Sequence, residues 1–299
     1  MTLCIAALCR DEGDNYVVLS SDKRVETSTA GDESEIKVRY LTLRWTSLVA
    51  GTLHVARELA DRYAQHLASV QDILTQDNAH EELYVPLAEM RESLREQLLQ
   101  KNLSVSLSDY RKHGREWFSE DVQRQMDYDL AQVEFDAQLL LVGLVGSDLH
   151  VYRVHAQNHL IERCERFAAI GSGANVAEMV LYQRQHSPFW TLPRTLYAVY
   201  EAQRIGQIAP GVGRETHQYV LSYDPDKQTM YPIILFPNAR TFLDEQFEAL
   251  GPRPIPLELK LPFGSLFDFM KRAQEKAQDQ PSPFTKAVLG ALSTPSTEN

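Results

Sequence analysis

Thr2 is the residue whose chemistry stands out first. It lies directly ahead of an apolar run, Leu3 to Cys9, with only Met1 before it. First residues ordinarily fray in solvent, but this run reads as a buried strand and would pin Thr2 at the edge of a core. With Met1 removed, Thr2 carries a hydroxyl and a free α-amine, a nucleophile and its own base on one residue. Such an amine titrates at about 7.7 to 8.0 in model compounds, so it can accept a proton near neutrality. Other chemistry-bearing residues point nowhere comparable. The Gly171-Ser172-Gly173 turn lacks the lysine of a P-loop and the third glycine of a dinucleotide fingerprint. His155 and His159 are four apart, but with His150 they read as surface or strand histidines, and no metal site is expected. Cys4 reads as small core packing.

The elements that would position Thr2 follow from hydrophobic periodicity. Leu3 to Cys9 and Tyr16 to Ser20 read as two strands around a polar turn. The stretch "IKVRYLTLRWTSLVAG" is dense in β-branched and aromatic residues and reads as a hairpin. From Thr52 the period changes: Val55, Leu59, Tyr63 and Leu67 mark an amphipathic helix. Leu87, Met90, Leu94 and Leu98 make a second helical stripe, and Val122, Met126, Leu130 and Val133 a third. Between these two, "NLSVSLSDYRKHGREWFS" reads either way. Leu139 to Val145 is a continuous apolar strand, expected to be central, and Leu149 to Val154 pairs with it. Phe167 to Ile170 leads into a helix from Ala174 to about His186. Pro188 and Pro193 punctuate, and another helix runs from about Leu196 to Ile208. Gln218 to Ser222 and Met230 to Phe236 form a hairpin. Arg240 to Leu250 reads as a short helix. Blocks of strands alternating with blocks of helices indicate an α+β fold.

Composition narrows the function. The chain has 299 residues, 43% of them apolar, and a net charge of −11. That charge argues against nucleic acid. No polybasic block or basic amphipathic helix suggests a membrane partner, and the longest apolar stretch is too short to span a bilayer. No leader is expected, since nothing basic and then apolar opens the chain and there is no room for one before Thr2. Three cysteines, Cys4, Cys9 and Cys164, suit a reducing compartment, so a cytoplasmic location is expected. Cys4 and Cys9 should face opposite sides of their strand.

Five features stand in one order: Thr2, "SSDKR" (Ser20 to Arg24), Lys37 in "EIKV", "VAGTLHVA" (Val49 to Ala56) and "AAIGSGANVA" (Ala168 to Ala177). Over roughly residues 2 to 236 the chain resembles the proteasome β-subunit family of N-terminal nucleophile hydrolases, in particular its bacterial and archaeal proteasome-like branch. The resemblance implies a four-layer α-β-β-α sandwich assembled into rings or other homo-oligomers. It implies Thr2 as nucleophile, Asp22 and Lys37 as its charged partners, and Gly51 as the oxyanion N–H donor. Ser172 would sit near the terminal amine, and Arg24 would support Asp22. The chemistry would be hydrolysis of a peptide or small amide substrate through an acyl ester on Thr2, with no metal or organic cofactor. An ATPase partner is left open.

The sequence departs from that pattern in three places. Where the family carries an Asp-x-x-Ser-Gly-Gly loop, this chain has "APGVGRETH" (Ala209 to His217), in which Thr216 could supply a hydroxyl but no aspartate is present. The helical region from about 69 to 136 is longer than usual. Beyond the domain spanning 1–250, residues 251–299 read as a proline-rich linker, a helix and a mobile tail. Two alternatives therefore stay open: a catalytically inactive structural subunit, and a non-peptide amidase of the same mechanism.

Overall fold

Two β-hairpins and their neighbours build two separate antiparallel sheets. The computed structural model describes residues 2–23, 25–26, 31–32, 37–70, 73–225, 227–235 and 237–251. The expected linker, helix and tail of 252–299, and Arg24, lie outside the described residues. β1 (Cys4–Asp11) and β2 (Asp14–Asp22) join through Glu12 and Gly13, both at positive φ (51° and 99°), the geometry a two-residue hairpin turn requires. Two short strands, β3 (Val25–Glu26) and β4 (Gly31–Asp32), pair with each other. β5 (Val38–Thr42) and β6 (Trp45–Gly51) form the next hairpin, followed by helix α1 (Leu53–Ser69).

The helical region comprises α2 (Ala79–Leu103), α3 (Leu107–Trp117) and α4 (Glu120–Ala131). The ambiguous stretch proves to hold α3. Ser106 caps it, accepting a hydrogen bond from Asp109 N at 2.9 Å, a Ser-x-x-Asp start signal, and its buried residues, Leu107, Tyr110 and Gly114, keep the helical period with few apolar side chains. Leu99, Leu107, Tyr110, Met126 and Leu130 make a small core of their own. Val133 falls beyond the end of α4.

The chain returns to strands with β7 (Ala137–Val145), β8 (Asp148–His155), β9 (Leu160–Cys164) and β10 (Phe167–Ile170). β9 is absent from the sequence reading, because this edge strand carries Glu162 and Arg163 and only Ile161 and Cys164 are buried. Then come α5 (Ala174–Gln183), α6 (Leu192–Gly206), β11 (Thr216–Asp224), β12 (Thr229–Ile234) and α7 (Pro237–Leu250). α6 starts before the expected Leu196, with Pro193 inside its first turn, where a missing N–H costs nothing.

One sheet has the order β10-β1-β2-β11-β12, the other β5-β6-β7-β8-β9, so β7 is central. Among the described residues the fold is thus α+β, with two antiparallel five-stranded sheets and seven helices. Strand alternation sorts the side chains. Cys4, Ala6, Val17 and Leu19 of the first sheet share one core with Leu48, Ala50, Leu140 and Val142 of the second. The opposite face of the second sheet, with Val49, Leu139 and Leu141, packs against Leu59 and Tyr63 of α1 and Leu83 and Leu87 of α2. α6 packs on β1 and β2. Cys9 lies away from the core that holds Cys4 and meets Thr195 of α6, so the two thiols do face opposite sides. Among the described residues no helix is long and apolar enough to cross a membrane.

His186 is buried just after α5, its ring 5.6 Å from Phe167 and 5.2 Å from Trp190. Neither ring nitrogen has a partner among the described residues. Burial first, then the Arg166 and Arg194 cations, lowers its pKa from 6.5 to about 4. The unfolded chain binds this proton at higher pH than the folded one, so stability is lost as pH falls from 6.5 towards about 4, by up to about 3 kcal/mol. Urea unfolding at neutral and acid pH should show His186→Phe losing less stability than the wild type. An equal loss in both would remove His186 as the responsible group.

Candidate active site

Thr2, Asp22 and Lys37 meet at one end of the layer between the two sheets. Asp22 closes β2, and Lys37 stands immediately before β5, its carbonyl accepting from Val49 N at 3.2 Å. The two charges therefore come from different sheets. Asp22 N donates to Leu3 O at 3.1 Å, and Leu3 N donates back to Asp22 Oδ1 at 2.7 Å. This reciprocal pair extends the β1–β2 ladder and fixes the chain at Thr2.

The Asp22 carboxylate gathers donors. Oδ1 accepts from Thr2 Oγ1 at 2.6 Å and from Lys37 Nζ at 2.7 Å, in addition to Leu3 N. Oδ2 accepts from Gly213 N at 3.0 Å. Lys37 Nζ also donates to Thr2 Oγ1. Asp22 is 0%, Lys37 3% and Thr2 5% exposed, so the ion pair lies in a dry environment. A buried pair is tolerable only when its remaining hydrogen-bonding capacity is satisfied, and these donors satisfy it. The Thr2 hydroxyl is thereby oriented, its proton directed at the carboxylate and its oxygen facing an ammonium.

Two glycine turns complete the surroundings. Thr2 O accepts from Gly173 N at 3.3 Å, and Ser172 Oγ lies 3.3 Å from the same oxygen and 3.4 Å from Pro210 O. Gly171 has φ 90°, and a Cβ there would collide with Thr2 O. Gly51 has φ 96°, and a Cβ there would meet Asp136 O at 2.6 Å. Thr52 N donates to Asp136 O at 2.9 Å and Thr52 Oγ1 to Asp136 Oδ2 at 3.2 Å. In an antiparallel ladder successive N–H groups point to opposite sides. The Thr52 N–H faces β7, so that of Gly51 is turned to the side where Lys37 receives Val49.

Cys4 lies near Thr2, its Sγ 3.6 Å from Val49 O. Burial, with a smaller contribution from Asp22, outweighs the Lys37 cation and the Thr2 hydroxyl and pushes the thiol up to about 12. It stays protonated and is not a competing nucleophile.

Of the residues singled out in the sequence, Thr2, Asp22 and Lys37 are in direct contact, and Ser172 adjoins the Thr2 carbonyl. Gly51 ends β6, two residues past Val49, which pairs with Lys37. Thr216 lies opposite Asp22 on β11, is buried, and makes no hydrogen bond to Thr2 among the described residues. Its neighbour His217 shares a 3.2 Å hydrogen bond with Tyr219 through Nδ1. Arg24 lies outside the described residues. The sequence reading missed Gly213, Asp136 and Gln138. The first two act through backbone atoms or a short turn, which side-chain motifs do not reveal. Gln138, whose Oε1 accepts from Gly171 N at 2.9 Å, could have been noticed as the one polar residue in "AQLLLVGLV".

Compared with models of known protein families and with curated proteins, the sequence matches none.

Removing one partner of a buried ion pair strands the other, at a cost of about 3 to 5 kcal/mol. Asp22→Ala should destabilise the fold by that amount in urea unfolding, and Asp22→Ala with Lys37→Met by less than the sum of the two single changes. Additive losses would show that the charges are not coupled.

Proposed function

We propose that this chain is a threonine-type N-terminal nucleophile amidohydrolase, similar to a proteasome β-subunit, that cleaves a peptide or small amide bond. One observation carries the reading: the Thr2 hydroxyl lies within hydrogen-bonding reach of both a buried carboxylate and a buried ammonium. Threonine is a poor nucleophile without such activation, and a fold gains little from sequestering a hydroxyl between two opposite charges.

In the proposed reaction, removal of Met1 frees the α-amine of Thr2. That amine takes the hydroxyl proton as Oγ1 bonds to the substrate carbonyl carbon. The Lys37 ammonium stabilises the developing negative charge on Oγ1, and Asp22 holds Lys37 in place. The Gly51 N–H receives the carbonyl oxygen as it becomes an oxyanion. Loss of such a donor typically costs about 100- to 1,000-fold in rate. The C–N bond then breaks, the amine product leaves with the proton, and water activated by the α-amine hydrolyses the ester. No metal or organic cofactor enters these steps. The two sheets with helices α1 and α2 on one side and α5 and α6 on the other support a four-layer α-β-β-α sandwich. A cytoplasmic homo-oligomer belongs to the same proposal.

A second reading, a catalytically inactive structural subunit, is favoured by one specific observation. The loop from Ala209 to His217 offers Asp22 a backbone N–H, while its one carboxylate, Glu215, pairs with Lys23 at 2.9 Å. No carboxylate of that loop bonds to Thr2 among the described residues. A non-peptide amidase shares the mechanism of the first reading and differs from it only in substrate.

A panel of peptide epoxyketones separates the readings, because these reagents bond to a hydroxyl and an amine on one residue. The expected result by intact mass is loss of Met1 and one adduct mapped to Thr2, absent in Thr2→Ala. Retained Met1, or a free Thr2 that no member of the panel labels, would favour the inactive subunit.

A further inference from the structure

We infer that Gln138 is a positioning residue for Thr2, acting across the gap between the two sheets; the inference rests on the nucleophile role proposed for Thr2. Inward and outward side chains alternate along β7. Leu140 and Val142 enter the core between the sheets, and Leu139 and Leu141 face α1 and α2. Gln138 is in phase with Leu140 and Val142, at the end of that inward row, where an aliphatic residue would continue the apolar layer. Its Oε1 instead reaches the opposite sheet and accepts from Gly171 N at 2.9 Å.

The acceptor answers a specific need of the facing strand. β10 is an edge strand, paired only with β1. Arg166 O accepts from Leu8 N, and the register continues through Ala6 with Ala168 and Cys4 with Ile170. Beyond Phe167, the N–H groups of Ala169 and Gly171 therefore point away from β1 and would be left without strand partners. Each is met by a side chain. Ala169 N donates to Glu178 Oε1 at 3.0 Å, and Glu178 is itself held by Arg153 of β8 at 2.7 Å. Gly171 N is met by Gln138.

The two contacts differ in what lies next to them. Ala169 is within the strand, whereas Gly171 opens the turn whose Gly173 N–H and Ser172 hydroxyl hold the Thr2 carbonyl. Gly171 also passes so close to Thr2 O that a Cβ cannot fit between them. A shift of this turn therefore moves Thr2 directly. Because Gln138 rises from the sheet that also bears Lys37 and Gly51, its hydrogen bond sets the nucleophile's strand against the sheet that carries its partners. The assigned role is to keep that spacing, with no contact to the reacting atoms.

The test compares Gln138→Met, which keeps length but removes the acceptor, with Gln138→Glu, which keeps an acceptor. Two readouts are taken on the full chain: hydrogen exchange of the segment containing Gly171, and the rate of Thr2 labelling by a peptide epoxyketone. Misplacement on the ångström scale can cost about 100-fold in rate. Gln138→Met should label about 10- to 100-fold more slowly and exchange faster around Gly171. Gln138→Glu should restore both, which a general packing role would not predict. Labelling of Gln138→Met at the wild-type rate, or equal slowing in Gln138→Glu, would overturn the inference. If the wild type itself is not labelled, the nucleophile reading fails on its own. Exchange then decides whether Gln138 holds the turn, unchanged exchange in Gln138→Met overturning that too. Gln138→Ser replaces Gln138→Met should the latter not fold.

Discussion

The structure is organised around a carboxylate that cannot be solvated. Asp22 is fully buried at the end of β2, and burial of a charge is costly unless partners replace the lost water. Among the described residues its partners include Thr2, Leu3, Lys37 and Gly213. The β1–β2 ladder carries the first two, the segment leading into β5 the third, and the segment leading into β11 the fourth. The folding requirement of one ion pair and the orientation of one hydroxyl are thus met by the same set of hydrogen bonds.

This dependence explains why the site lies at an end of the inter-sheet layer. In its middle, Leu19, Leu48, Leu140 and Val142 pack side chain to side chain, and a charge there would find no donors. At the end, strands give way to turns, and turns offer backbone N–H groups that no ladder has used. Gly171, Gly173 and Gly213 supply such groups, to Gln138, Thr2 and Asp22 respectively. Positive φ at Gly51 and Gly171 lets the backbone approach its neighbours where a side chain would not fit.

Much of this could be read in the sequence, and the physical reason is period. Apolar runs such as Leu139 to Val145 and the four-residue spacing of Val55, Leu59, Tyr63 and Leu67 report burial directly, so strands β1, β2, β7 and helix α1 were legible. Thr2 stood out by its own chemistry, whereas Asp22 and Lys37 were singled out only by the order of the motifs; their side chains do meet Thr2. What was not legible falls into two kinds. β9 and α3 have few apolar residues: β9 is an edge strand with only Ile161 and Cys164 buried, and α3 buries Leu107, Tyr110 and Gly114 behind a cap at Ser106. Gly213 acts through its main-chain N–H and Asp136 largely through its carbonyl, atoms whose partners are fixed by tertiary placement. The loop from Ala209 to His217 shows the difference well. Read as side chains it lacks an aspartate; folded, it presents an N–H to one that lies on β2.

The hydrogen bonds at Asp22 also bear on how work is divided in the proposed reaction. Among the described residues Thr2 Oγ1, Leu3 N and Lys37 Nζ donate to Oδ1 and Gly213 N to Oδ2, so the carboxylate is tied to the ammonium and to the chain at Thr2. The proposed proton acceptor lies elsewhere. The closest group that proteolytic trimming would create is the α-amine of Thr2 itself, carried on the same residue and held by the turn at Gly171 to Gly173. In the proposed reaction Asp22 and Lys37 set the electrostatics, the glycine turns set the position, and the proton travels within Thr2. The Ala209 to His217 loop contributes the Gly213 N–H to the carboxylate.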